Sequence, residues 1–382
     1  MSRREAAESK RERSGSELSE DGNKYPINQE AFTFLPRCVG SRFDMTSAEP
    51  PHPRLTSIIP PTSIVELMRT VDFDGLEEVH GMSRGEDFML EACVGFFSRR
   101  GIRCDRDHVS LTMGILPTLE HVYQKLGLNE SNKIIVPTPT FGYFFRQFKE
   151  KNISFETLPT KEEDGFLPNP EELERLIVSS GAKAILLCYP NNPTGSVMTE
   201  ECAMAIADIA TRHDIFVISD EAFVRNSLSG RPHFSVAAVD GMLERSFTVT
   251  STAKSMFIGV KNGCCVGRSD IVADFERLGG YPTKHMQRIL TAALEDNAEN
   301  KKYLDSCRDH YIRNIGVVTD KLTELDRRFC EQFDEARSFV KPLIAMPDAT
   351  NVYLLDFSGL RGKKYGEKVM MTGLDVAEWL LN

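Results

Sequence analysis

Residues 247–254 read Phe-Thr-Val-Thr-Ser-Thr-Ala-Lys. The aromatic and β-branched run predicts a short strand that delivers Lys254 to its carboxyl end. Alone, such a lysine reads as a solvated loop residue. Two earlier segments change its weight. Tyr189-Pro190-Asn191-Asn192-Pro193-Thr194-Gly195 follows the apolar run Ala184 to Cys188, and Asp220-Glu221-Ala222 follows the run Ile215 to Ser219. Three strand ends then offer an amide, a carboxylate and an amine, a set suited to a cationic aldehyde cofactor. Short apolar strands of this kind belong in a mainly parallel sheet buried on both faces. Ligands of such sheets sit outside the carboxyl ends of the strands.

Outward from these segments, strands and helices alternate. Ser110 to Thr112 and Ile134 to Val136 read as strands, and about 116–127 and 143–151 as helices. Asn169 and Pro170 supply a cap and a first-turn proline for the next helix. An earlier helix from Glu86 carries Met89, Cys93, Phe96 and Phe97 at helical spacing, a core pattern, and stops at Arg99-Arg100-Gly101. Ser63 and Glu66 have the spacing of a capping box. After about Arg268 a long helical stretch leads to a small second unit, with a strand predicted over Asn351 to Phe357 and a final helix over Leu374 to Leu381. Residues 1–30 are charged and poor in apolar side chains, which predicts a disordered tail. Prolines 50, 51, 53, 60 and 61 mark an extended arm.

Composition narrows the function classes. With 41% hydrophobic residues, the 382-residue chain can bury a sizeable core and suits one large domain plus one small. A net charge of −10 argues against nucleic acid or an anionic membrane surface as the main partner. No apolar run approaches the roughly 18 residues of a membrane span, and the N-terminus lacks the apolar stretch of a secretory signal. Nine cysteines, an odd number without a CxxC, fit a reducing cytoplasm, and no metal site is expected. The adjacent Cys264 and Cys265 read as small buried hydrophobes.

In order and spacing, PNNPTG, SDEAF and STAK resemble the class I/II aminotransferases, which are pyridoxal-phosphate (PLP) enzymes of fold type I, over roughly residues 35–382. The resemblance implies an α/β fold: a mainly parallel central sheet with helices on both faces, and a smaller C-terminal α+β domain. It implies a disordered tail over 1–30, an arm and first helix over 31–75, a large cofactor domain over 76–285, and a connecting helix with small domain over 286–382. Lys254 would form the Schiff base and move protons at the substrate Cα. Asp220 would face the pyridinium nitrogen, Asn192 would donate to the phenolate oxygen, and Phe141 would stack on the ring. Asn191 would be the structural member of its pair. Amides after Gly114, at Ile115 and Leu116, would meet the phosphate at a helix start, with the Ser251 hydroxyl and the Lys261 ammonium. The implied reaction moves an amino group between an amino acid and a 2-oxo acid in a cytoplasmic homodimer, the Pro-rich arm packing on the partner.

Four positions depart from the family pattern. Phe223 stands three residues after Asp220, where a Tyr is usual. Lys261 replaces a phosphate-binding Arg and offers a point charge without a bidentate fork. His80 stands where a partner-subunit Tyr is common. The substrate-carboxylate Arg is expected beyond Asn382, with Arg361 only a loose substitute, so weak transamination is expected of the chain as it stands. Two alternatives therefore stay open: a PLP lyase or decarboxylase on the same fold, and a PLP-binding relative with little turnover.

Overall fold

The computed structural model describes residues 58–70, 83–256, 262–277, 282–333 and 338–381. Its centre is a seven-stranded sheet of β1 (Val109–Thr112), β2 (Ile134–Thr138), β3 (Phe155–Pro159), β4 (Ala184–Cys188), β5 (Phe216–Asp220), β6 (Ser246–Ser251) and β7 (Gly263–Gly267). The order across the sheet is β1-β7-β6-β5-β4-β2-β3. Strands β3, β2, β4, β5 and β6 pair in parallel, and β7 runs antiparallel to both β6 and β1. The mainly parallel α/β sheet expected from the sequence is therefore present.

The apolar runs are continuous because both sheet faces are covered. Leu186, Ile218 and Phe247 join Leu119, Val122, Phe144 and Phe148 on one side. Ile185, Leu187 and Val217 join Leu173, Ile177, Ile206 and Ile209 on the other. Alternate residues of one strand thus feed two separate helical layers. Each crossover helix stops where its local chemistry says it should. Pro170–Ser180 opens with the Asn169 side chain accepting from the Glu172 amide at 3.0 Å and closes on Gly181 at φ +67°.

Two local expectations fail. The helix Thr62–Arg69 has Pro61 at its cap and no side-chain cap bond. Ser63 instead donates to Glu299 Oε2 at 2.7 Å, and the Thr62 amide also bonds Glu299, so a distant carboxylate takes the place of Glu66. In the C-terminal unit, the strand expected over Asn351 to Phe357 shrinks to Leu355–Asp356, paired with Lys341–Pro342. Before it, the side chains of Asn351 and Tyr353 bond Tyr311 and Thr319 on the helix Ala298–Phe333. The connecting helix runs Ala298–Phe333, and the C-terminal unit packs around Phe339, Leu360, Met370 and Val376 beneath the final helix Gly373–Leu381. Cys264 and Cys265 are fully buried in β7, as read from the sequence. Lys261, His80, the tail and most of the Pro-rich arm lie outside the described residues.

Candidate active site

Strands β4, β5 and β6 are consecutive neighbours and parallel, so their carboxyl ends open on one edge of the sheet. Register pairs Cys188 with Asp220 and Asp220 with Val249. The three motif segments leave the sheet side by side. Tyr189 N bonds Asp220 O at 3.1 Å and Glu221 N bonds Val249 O at 2.8 Å, which extends the ladder one step into the loops.

The first loop is organised by Asn191, which is 2% exposed. Its amide donates to Pro139 O (3.2 Å) and Cys188 O (3.1 Å), and its Oδ1 accepts from Thr194 N (3.0 Å) and Thr194 Oγ1 (2.9 Å). That side chain thus joins its own turn to the loop at Pro139. Asn192 beside it is half-buried.

Asp220 is 4% exposed and its Oδ1 accepts from the Ala222 amide at 2.9 Å. Burial pushes its carboxyl up to about 7; Glu221 adds to the rise, and Lys254 opposes it. Lys254 sits in a turn closed by Ser255 N and Met256 N on Thr252 O. Its Nζ lies 5.9 Å from the centroid of the buried Phe223 ring. Asn226 holds this turn from below, its Nδ2 donating to Lys254 O at 2.8 Å.

The fourth side is the start of the helix Ile115–Lys125. Gly114 caps it at φ +105°, a conformation glycine adopts without a Cβ penalty. First-turn amides have no intrahelical acceptor, and Pro117 has no N–H, so Ile115 and Leu116 carry the outward donors. Gln147 secures the turn by donating to Leu116 O at 2.8 Å. Phe141 is half-buried and meets Phe144 edge-on at 5.5 Å between centroids. Ser251 is buried; its hydroxyl donates to Asn262 O at 3.0 Å and accepts from Ala253 N at 3.1 Å. Donation to a ligand requires that hydroxyl to rotate away from Asn262. A neighbouring cavity of about 280 Å³, lined by Thr112, Met113, Thr118, His121 and Phe275, includes none of Asn192, Asp220 and Lys254.

Amide, carboxyl, amine and helix-start amides converge on one sheet edge, and the buried carboxyl has a raised proton affinity that a cation would lower. This donor set fits pyridoxal phosphate. The family model "Aminotransferase class I and II" matches residues 45–355. The chain belongs to that family. Relatives include the aspartate aminotransferase of Pyrococcus horikoshii, 30% identical over 62% of this chain and 61% of that protein. The aromatic-amino-acid aminotransferase 2 of Thermococcus litoralis is 27% identical over 60% of each chain. The aspartate aminotransferase of Pyrococcus abyssi is 30% identical over 52% of each, so this chain spans only about half to three-fifths of the length of these relatives. Among solved structures, the Rhizobium meliloti aspartate aminotransferase superposes with TM-score 0.74 at 16% identity, over 93% of this chain and 84% of that one. A Thermus thermophilus aspartate aminotransferase double mutant gives 0.72 at 22%, over 100% and 89%. These likenesses show the class I/II aminotransferase fold.

Several residues at this edge had no role in the sequence reading. Asn226 also accepts Thr350 N on its carbonyl at 3.0 Å, and Leu228 N bonds Asp348 O at 2.8 Å. Ala349 N reaches Gly195 O at 2.9 Å. The segment Pro347 to Thr350 therefore ties the C-terminal unit to both the asparagine turn and the lysine turn. No spacing signal marks Asn226. Arg361, named loosely for a substrate carboxylate, is exposed on the C-terminal unit. Among the described residues, no helix is long and apolar enough to cross a membrane, and no His/Cys/Asp/Glu group could hold a metal ion.

Proposed function

We propose that the chain is a PLP-dependent aminotransferase that moves an amino group between an amino acid and a 2-oxo acid. The observation that carries this reading is the side-by-side exit of Asn192, Asp220 and Lys254 from three adjacent parallel strands. Pyridoxal phosphate, when bound, supplies an electron sink for charge developing at the substrate Cα. Lys254 would hold the aldehyde carbon covalently and, once released by substrate, carry the proton on and off Cα. Asp220 would keep a proton at the ring nitrogen. Asn192 would donate to the phenolate oxygen, while buried Phe223, lacking a hydroxyl, adds only a ring face there. Phe141 would cover the ring, and the Gly114, Ile115 and Leu116 turn with Ser251 and Lys261 would bind the phosphate.

We further propose a cytoplasmic homodimer with a large cofactor domain over 76–285 and a small domain after it. The relatives are named for aspartate and aromatic amino acids, so these two donor classes are the first to test. Borohydride reduction of the PLP-loaded protein followed by peptide mass mapping should place the label on Lys254. Label on a different lysine, or none, would sink the reading.

A further inference from the structure

A second set of buried polar atoms lies under the lysine turn. Arg225 and Asn226 follow Phe223 on the loop leaving β5, and they face a small cavity together with Ser255, Cys307 and Tyr311. Asn226 is 7% exposed. Its Nδ2 donates to Lys254 O at 2.8 Å, which fixes the orientation of the amide and turns Oδ1 away from that bond. Arg225 uses Nη1 on Ala293 O, a carbonyl at the C-terminal end of the helix Lys284–Leu294, where the helix dipole favours a cation. Burial lowers the proton affinity of that guanidinium to about 10, and Arg100 adds to the fall, so it stays charged at neutrality. Arg225 Nη2 and Asn226 Oδ1 are both buried, are not bonded to each other, and have no hydrogen-bond partner among the described residues. One is a donor and the other an acceptor. Two such atoms lining one cavity call for a ligand that serves both.

We infer that Arg225 and Asn226 share one buried water, and that the three together form a positioning device for Lys254. The cavity's volume of about 10 Å³ suits a single water, which needs roughly 10–15 Å³ and two to four polar partners. A monatomic anion would satisfy Arg225 but press against Asn226 Oδ1. A cation would face the charge of Arg225. A water accepts from Arg225 Nη2, donates to Asn226 Oδ1, and keeps a second proton for the oxygens of Ser255 or Tyr311, which line the same space. The bonds of this chain then run in one sense: guanidinium to water, water to amide oxygen, amide nitrogen to Lys254 O. Each donor in such a chain is strengthened by the one behind it. The charge of Arg225 thereby tightens the hold on the Lys254 carbonyl through the water. Arg225 Nη1 also lies 4.0 Å from Met256 Sδ, two residues past the lysine, so the same guanidinium meets the far side of the turn. Only the role of Lys254 as the reacting amine rests on the cofactor reading; the water site does not.

The test is a high-resolution crystal structure of the full chain, with a parallel bromide soak, and native-state hydrogen exchange on three variants. The wild-type map should show one water about 2.7–3.2 Å from both Arg225 Nη2 and Asn226 Oδ1. Exchange is read at the Met256 amide, which closes the lysine turn on Thr252 O at 2.8 Å, relative to the amides of β5, so that a general loss of stability is discounted. Asn226→Leu should speed it about tenfold or more, and Arg225→Met, which removes the charge and keeps the bulk, about threefold to tenfold. Arg225→Lys keeps a charged donor and should restore most of the lost protection. A role in packing alone would make the Met and Lys variants exchange alike. No water at that place, a bromide ion in it, or equal exchange in those two variants overturns the inference, and the wild-type map decides the water if a variant does not fold. Water in place with no borohydride label on Lys254 would keep the site and sink only the cofactor reading.

Discussion

At Asp220, the last residue of β5, a carboxyl is carried into a space where it is 4% exposed. The folded group holds its proton up to about 7, whereas an unfolded aspartate releases it near ~3.9. In the interval the folded state binds the extra proton, so this group's stabilising contribution is present below the unfolded value and lost as pH rises through about 7. Cofactor-free protein should therefore lose stability between about pH 4 and 7, by up to about 4 kcal/mol at this site. Thermal melts across that range should show the loss, and Asp220→Asn should flatten it. A wild-type profile already flat would contradict the raised proton affinity. The adjacent asparagines separate fold from ligand. Asn191→Ala strands buried partners on both sides of its amide and should cost about 2–4 kcal/mol in denaturant titrations. Asn192→Ala should stay within about 0.5 kcal/mol in stability while weakening PLP retention about tenfold or more. Equal stability losses in the two variants would erase the distinction.

Among the elements, the turn ending at Gly195 is where the C-terminal unit meets the catalytic edge. Gly195 has φ +78°, and a Cβ there would run into Pro347 and stand 2.7 Å from Ala349 O. Gly195→Ala meets two obstacles at once, a backbone conformation that L side chains rarely adopt and a space already filled by backbone. It should cost about 1–3 kcal/mol and speed hydrogen exchange at the Ala349 amide, which bonds Gly195 O at 2.9 Å. Exchange unchanged at Ala349 would mean the segment is held elsewhere, by Asn226 and Ser229. The helix Thr62–Arg69 makes a related point: its start is secured from Glu299 on the connecting helix and not by a cap in its own sequence.

For the whole molecule, the glycine turn carries an apolar residue at the surface: Met113, next to Gly114, is 50% exposed. An exposed methionine flanking a cofactor edge suits a site completed by a second copy, as the family resemblance implies. Light scattering of the PLP-loaded protein at micromolar concentration should give twice the 43.0 kDa chain mass. The chain mass itself, with cofactor bound, would count against the dimer.

What the sequence determined by itself was local and periodic. Apolar runs of four to six residues ending in Asn, Asp and Ser-Thr-Ala-Lys marked β4, β5 and β6 and the edge where they open, because a doubly buried strand needs such a run and a polar stop. Asn169 capped its helix as read, since that bond spans three residues. The tertiary structure decided whatever depended on distant partners. Ser63 found Glu299, 236 residues away, in place of Glu66. Asn226 reached Lys254 O across 28 residues, and Glu221 gathered Ser235 across 14. Ala349 and Thr350 found backbone acceptors at Gly195 and Asn226, far away in the chain. A buried polar group must find a partner wherever the fold supplies one, and nothing in the spacing of residues along the chain records which partner that is.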